Sequence, residues 1–338
     1  MIWLDHMGAQ VSGYSLKPNT SPSLFDSANL AKSQTEFGDV RDASALEKEL
    51  TRTQPDIVMH FAAQPLVRYS YENPIETYAT NVMGTVHLLN AIRVAPSVKA
   101  VVIVTTDKCY ENREWAWGYR EDDHLGGFDP YSSSKACAEI VTSAMRRSFF
   151  TDKKIAIATA RAGNVIGGGD WAEDRLIPDM IRAIQTKSIL KIRNPGATRP
   201  WQHVLEPLGA YLKLAEALFD KGSEFAESWN FGPADKDAKS VGEIVELMSL
   251  AWKIQKSSTE LKYEFEGNHI KKLHEAHFLK LDCSKAQTRL GWTPRWDAGT
   301  AIQKTAEWYK AYYENPKMAL QLSLKQIEDY SRSGEATS

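Results

Sequence analysis

The stretch that most restricts the fold is Ala100 to Thr105, AVVIVT, followed at once by Thr106, Asp107, Lys108, Cys109 and Tyr110. A short apolar run rich in β-branched residues fits a strand covered on both faces, and such strands belong to parallel sheets. The surrounding sequence keeps the same rhythm. A strand is expected from Gln10 to Leu16, followed by a loop with Pro18 and Pro22. Gly38 to Asp42 ends a short strand and leads into a helix from Ala43 to Thr51. A buried strand is expected from Asp56 to Ala63, and then a long helical stretch, interrupted near Pro74, that runs to Ala95. After the AVVIVT strand come a Trp-rich loop (Glu111 to Asp123), a helix opening at Tyr131 and a strand from Ile155 to Ala160. Repeated β–α alternation predicts an α/β chain with a doubly wound parallel, Rossmann-like sheet. Such sheets build their sites beyond the carboxyl ends of the strands, where Thr106 to Tyr110 fall.

After Asn164 the rhythm breaks, and glycine and proline clusters punctuate a more irregular region. Residues 1–163 are expected to form the Rossmann-like domain and 164–330 a smaller α/β substrate lobe. At least one return crossing to the sheet is expected, at Trp229-Asn230-Phe231-Gly232. The helix from Ala301 to Tyr313 is expected to cap the lobe, and residues 331–338 to form a loose tail. A net charge of −2 over 338 residues offers no field to attract nucleic acid. No apolar run reaches the length of a membrane span. The three cysteines, Cys109, Cys137 and Cys283, are odd in number and widely spaced, which fits no disulfide framework and suits a reduced cytosol.

Tyr131 and Lys135 are one helical turn apart, so phenol and ammonium share a face. Pro130 and Ser132 to Ser134 supply start signals for that helix. A neighbouring cation favours the phenolate of a tyrosine whose free pKa is about 10, giving a usable general base. The spacing alone is weak evidence. Tyr313 to Lys317 repeats it, but Pro316 breaks the helix that would give it meaning. His274-Glu275-Ala276-His277 lacks one residue of the zinc-protease spacing, and with His269 it gives no metal site. Gly167-x-Gly169-x-x-Ala172 imitates a dinucleotide fingerprint but comes too late in the chain to open the first β–α unit.

Taken together, these motifs resemble the extended short-chain dehydrogenase/reductases acting on nucleotide sugars. Asp39-Val40-Arg41-Asp42, His60 to Gln64, Asn81-Val82-x-Gly84-Thr85, the Thr106, Tyr131 and Lys135 set, Arg161 to Val165, Ile192 to Pro195, Arg199 to Val204 and Leu281 to Lys285 follow that family's order. A narrower resemblance, to the 4,6-dehydratases acting on CDP-glucose, rests on Asp107 to Tyr110, the Trp115-x-Trp117-Gly118-Tyr119 loop and Gly167 to Trp171.

The resemblance implies NAD as cofactor, with Asp39, Val40, Phe61, Ala62, Ala63, Asn81, Tyr131 and Lys135 in contact with it. It implies a nucleotide-sugar substrate held by Asn164, Arg175, Arg193 and Arg199, and Thr106, Asp107, Lys108, Tyr131 and Lys135 as the catalytic group. Asp107 stands where the family has its acid. Lys108 replaces a usual glutamate, and two roles are open to it: base, or cation facing an enolate. Trp115 and Trp117 either pack the loop or touch substrate. A homodimer or homotetramer built on the helices around 81–95 and 131–149 is also implied. A nucleotide-sugar 4-epimerase or reductase and a catalytically inactive binding protein are the alternatives. The family's glycine-rich turn is not found between Met1 and Leu16. The expectation is therefore that Met1 to Ala9 is the tail of the helix after that turn, that the strands at Gln10 and Asp56 have unpaired edges, and that the 338-residue chain folds poorly and binds NAD weakly.

Overall fold

The computed structural model describes residues 1–32, 34–151, 154–255, 259–265 and 278–335. In chain order the strands are β1 (Ser12–Ser15), β2 (Gln34–Phe37), β3 (Ile57–His60), β4 (Ala100–Val104), β5 (Ala156–Ala162), β6 (Val165–Ile166), β7 (Ile189–Ile192), β8 (Thr198–Pro200), β9 (Gln202–His203), β10 (Ser228–Phe231), β11 (Ala238–Ser240) and β12 (Lys262–Phe265). The central sheet is parallel, in the order β10-β5-β4-β3. Side chains alternate across a strand, so Val101, Ile103 and Ile157 pack on one face with Leu89 and Ile92 of the helix Gly84–Ile92. Ala100, Val102, Ala158 and Ala160 pack on the other with Tyr211 and Leu214 of the helix Leu205–Lys221. Both faces are covered, which is why AVVIVT reads as unbroken apolar sequence. The return crossing lies where expected, with β10 pairing parallel to β5.

Two expectations about the strands are corrected. The sheet is in two pieces: β1 pairs only with β2, and among the described residues no ladder joins β1 to β3. The expected buried strand from Asp56 to Ala63 is therefore an edge. β3 pairs on one side only, and Ile57 and Phe61 are 40% and 48% exposed. The unpaired edges expected of these two strands are present.

The helix Pro130–Met145 starts with Pro130 at its first position, where proline's missing N–H costs nothing. Its cap is not one of the three serines but Asp129, whose Oδ1 accepts from the Ser132 N–H at 2.9 Å and Oδ2 from the Ser132 hydroxyl at 2.6 Å. Such a cap stabilises a helix by about 1 kcal/mol. The stretch before it is two short helices, Val67–Glu72 and Pro74–Tyr78, then a π-helical turn, Ala79–Met83. That wide turn rotates Asn81 inward.

Beyond Asn164, β6 pairs with β9, β7 with β12 and β8 with β11. A second core gathers Ile177, Ile181, Ile244, Met248, Trp308 and Tyr312. The capping helix spans Ala298–Glu314 and stops before Pro316. The expected loose tail is corrected for 331–335, which continue the helix Ala319–Glu335. Arg295 donates to the carbonyls of Tyr330 and Ser331 at 2.8 and 3.2 Å and holds that end. Residues 336–338 lie outside the described residues.

Candidate active site

Three carboxyl ends of the sheet and one helix start converge on Tyr131. Beyond β4 the chain turns through a 3-10 segment, Asp107–Cys109. Thr106 lies beside the Tyr131 phenol and opposes its rise in pKa, and donates its hydroxyl to Asp107 Oδ1 at 3.1 Å. Asp107 is 1% exposed, and its Oδ2 is buried without a hydrogen-bond partner. A Cβ on Gly163 would stand 3.0 Å from that oxygen and 2.5 Å from Pro200. The glycine thus lets β8, carrying Arg199, close against the carboxyl group. Lys108 is half-buried.

Burial pushes the Tyr131 phenol up to about 12, Thr106 and Arg175 oppose this, and Asp107 and Asp129 add to it. Burial brings the Lys135 ammonium down to about 8 against the pull of Glu139. The ammonium donates to the Val104 carbonyl at 3.1 Å. Arg175 is a cation that opposes the rise of the Tyr131 phenol.

The loop after β3 carries Phe61, Ala62 and Ala63. It is fixed by Asn81, whose Oδ1 accepts from the Gln64 N–H at 2.8 Å and whose Nδ2 donates to the Gln64 carbonyl at 3.0 Å and Ser134 Oγ at 2.9 Å. Asn81 is 2% exposed and shapes the loop through these three bonds. Gly84 admits Val40, which a Cβ would meet at 2.8 Å. Asp39 stands just past β2 and accepts from the Arg41 side chain at 2.9 Å and its N–H at 2.8 Å. The Arg41 hydrogen bond, opposed by partial burial, holds this carboxyl below the usual carboxylate range.

The remaining candidates line the other side. Asn164 accepts the Gln202 N–H on its carbonyl at 3.0 Å. Arg175 pairs with Asp170 at 3.1 Å, Arg193 with Asp174 at 3.7 Å, and Arg199 is buried with a bond to the Thr198 carbonyl at 3.0 Å. Sequence reasoning missed Arg68, which meets Asp174 at 3.3 Å, and Ser70, whose Oγ accepts the Tyr131 N–H at 3.2 Å. It also missed Tyr211, between Phe61 and Phe231 at ring distances of 5.9 and 5.8 Å. Burial raises this phenol, then the proximity of Tyr131 and Asp107. Its place inside an apolar helix gave no signal.

Trp115 stacks on Tyr119 at 5.4 Å and Tyr119 on Tyr110 at 5.1 Å, so Trp115 packs the loop, while Trp117 is exposed. The glycines at 167–169 serve packing: a Cβ on Gly168 would stand 2.1 Å from Trp308. His269, His274 and His277 lie outside the described residues. Among the described residues no group of three His, Cys, Asp or Glu is placed to hold a metal, and no helix is long and apolar enough to cross a membrane.

The sequence matches the family described as GDP-mannose 4,6 dehydratase over residues 15–305. The chain belongs to that family. Among curated relatives, CDP-glucose 4,6-dehydratase of Salmonella typhimurium is 50% identical over 336 residues, covering 97% of this chain and 91% of that one. Two solved structures share the fold. UDP-glucose-4-epimerase from Stenotrophomonas maltophila, with bound NAD, superposes with a TM-score of 0.77 at 20% identity, covering 93% of this chain and 94% of that one. dTDP-glucose 4,6-dehydratase from Bacillus anthracis, in complex with NAD, gives 0.73 at 22% identity, covering 94% and 96%.

Proposed function

We propose that this chain is a hydro-lyase that converts CDP-glucose to CDP-4-keto-6-deoxyglucose with NAD. The observation that carries the reading is the Asp107 carboxyl, buried with one oxygen unpartnered, bonded to Thr106 and close enough to Tyr131 to act on its phenol. An epimerase needs only the tyrosine; a second proton-transfer group beside it serves elimination. NAD, when bound, accepts hydride from C4 and returns it at C6. Tyr131 Oη, as the phenolate, takes the C4 hydroxyl proton, with Thr106 beside it. Once C4 is a ketone its C5–H is acidic, and Asp107 Oδ2 gives a proton to the departing C6 hydroxyl. Lys108 removes the C5 proton, or steadies the enolate as a cation while another base removes it, and a proton returns to C5 when C6 is reduced.

The donor set suits the cofactor's nicotinamide and adenosine ends. Lys135 has ammonium hydrogens beyond the one given to Val104, Phe61 offers an exposed ring, and Asp39 is an acceptor at a sheet strand's end. For the substrate, Arg175, Arg193 and Arg199 supply planar guanidinium groups that match phosphate oxygens, and Asn164 adds an amide. Residues 1–163 then form the cofactor domain and 164–330 the substrate lobe.

A second copy of the chain is the expected partner. Met83 and Val94 beside one helix and Ile140 and Phe149 along the other leave apolar groups exposed, and sedimentation would read a dimer or tetramer. Incubation with CDP-glucose and NAD tests the activity: mass spectrometry should find a product lighter by one water. A binding protein without turnover is the second reading. It is favoured by the absence, among the described residues, of a ladder joining β1 to β3 and by the fact that none of the turns after β1 to β5 or β10 is Gly-x-x-Gly-x-x-Gly. Calorimetric titration with NAD separates the two, since only the enzyme must bind it.

A further inference from the structure

The turn that carries Asp107 and Lys108 is held at both ends by one buried ion pair. Glu139 lies on the helix of Tyr131 and Lys135, eight and four residues on, and therefore on nearly the same face. Its carboxylate and the Arg161 guanidinium are 2.8 Å apart, with side chains 1% and 2% exposed. Glu139 Oε1 accepts the hydroxyl of Thr105, the residue just before Thr106. Its Oε2 accepts from Thr159 at 2.6 Å and Ser228 at 3.2 Å. Arg161 NH1 donates to the Tyr110 hydroxyl at 2.7 Å and to the Glu121 carbonyl at 2.9 Å. The Tyr110 hydroxyl in turn donates to Asn230 Oδ1 at 2.7 Å. Thr105 and Tyr110 bracket residues 106–109, so both ends of the acid-bearing turn are tied to one pair, and the pair is tied to the tyrosine's helix.

We propose that Glu139 and Arg161 are positioning residues that set Asp107 and Lys108 against Tyr131, and that Tyr110 and Thr105 transmit this to the elimination step. A buried ion pair is weak evidence for stability, because desolvation offsets its attraction. Here its hydrogen bonds reach β4, β5, β10 and the loop at Glu121, which fits a part that fixes geometry. Misplacing a reacting group by about 1 Å can cost about 10²-fold in rate. Neither Tyr110 nor Thr105 bonds Tyr131, so loss of either should leave C4 oxidation intact.

The inference rests on the dehydratase reading, and the experiment separates the two failures. Glu139→Gln leaves Arg161 buried beside a neutral amide and is liable to misfold, so the test uses Tyr110→Phe and Thr105→Val in the full chain. Wild type is run first on CDP-glucose and NAD; absence of a dehydrated product overturns the function itself. With wild type active, stopped-flow absorbance of reduced nicotinamide reads C4 oxidation, and product mass reads elimination. Each variant should keep oxidation within about twofold and slow elimination by about tenfold or more, with reduced nicotinamide accumulating. Equal losses in both steps would show a merely structural role. Wild-type rates in both variants would show that the turn needs no such tether. Either result overturns the proposal.

Discussion

Asp107→Asn is nearly isosteric, and the structure says what each atom loses. Oδ1 keeps the Thr106 hydroxyl it accepts at 3.1 Å. Oδ2 has no partner to forfeit, so an amide nitrogen there breaks no bond and the folded state should change by about 1 kcal/mol or less. The chemistry loses its proton donor. General acid catalysis contributes about 10²–10⁴-fold, or about 3–5 kcal/mol of barrier, and the loss should fall on elimination alone. C4 oxidation requires Tyr131 and no acid at C6. In single turnover with CDP-glucose, reduced nicotinamide should form at the wild-type rate and then persist, while dehydrated product appears about 10²–10⁴ times more slowly. Full turnover by Asp107→Asn would remove Asp107 from the mechanism. Loss of oxidation as well would mean that Asp107 acts through Thr106 on the tyrosine.

Tyr131→Phe should abolish C4 oxidation while leaving CDP-glucose affinity, read by calorimetry, within a few-fold; residual turnover above a few per cent of wild type would refute Tyr131 as base. Lys108 separates its two roles by charge. Glu performing better than Gln supports a base, whereas Gln or Met performing better than Glu supports a cation facing the enolate. Burial brings the Lys135 ammonium of the folded chain down to about 8, against 10.5 for an ordinary lysine. Between those values the unfolded chain binds more protons, so this group's contribution to stability rises with pH there and is least favourable below pH 8. Lys135→Met should therefore raise the melting temperature at pH 7, by up to about 3 kcal/mol in stability, and less by pH 10; a gain independent of pH would contradict this. Gly168→Ala should destabilise by about 1–3 kcal/mol, because Trp308 is buried and stacked on Tyr312 at 5.2 Å with no room to move; unchanged denaturant melting would refute the packing role.

What could be read from sequence follows from how local each determinant is. The buried strand at Ala100 and the Tyr131 helix were legible because their residues carry the signal themselves. The cap of that helix was misassigned to serine because Asp129 and Ser132 to Ser134 are all good capping types, and only geometry chooses. β3 reads as a buried apolar strand, yet Ile57 and Phe61 are 40% and 48% exposed, because burial depends on what lies beside a strand; its unpaired edge was legible from the missing glycine-rich turn. Helical spacing sets the face that Tyr131 and Lys135 share, while burial is the largest influence on both pKa values. The pairing of Glu139 with Arg161 spans 22 residues and two elements, so no spacing rule reveals it, although Lys135 and Glu139 are four apart. The helical continuation at 331–335 was hidden because its anchor, Arg295, is distant in sequence.

The most direct test of the central claim follows one hydrogen. CDP-glucose carrying deuterium at C4 should yield a 4-keto-6-deoxy product with that deuterium in its C6 methyl group, delivered within one active site, and with a solvent hydrogen at C5. Deuterium returned to C4 without loss of water would identify an epimerase and contradict the account.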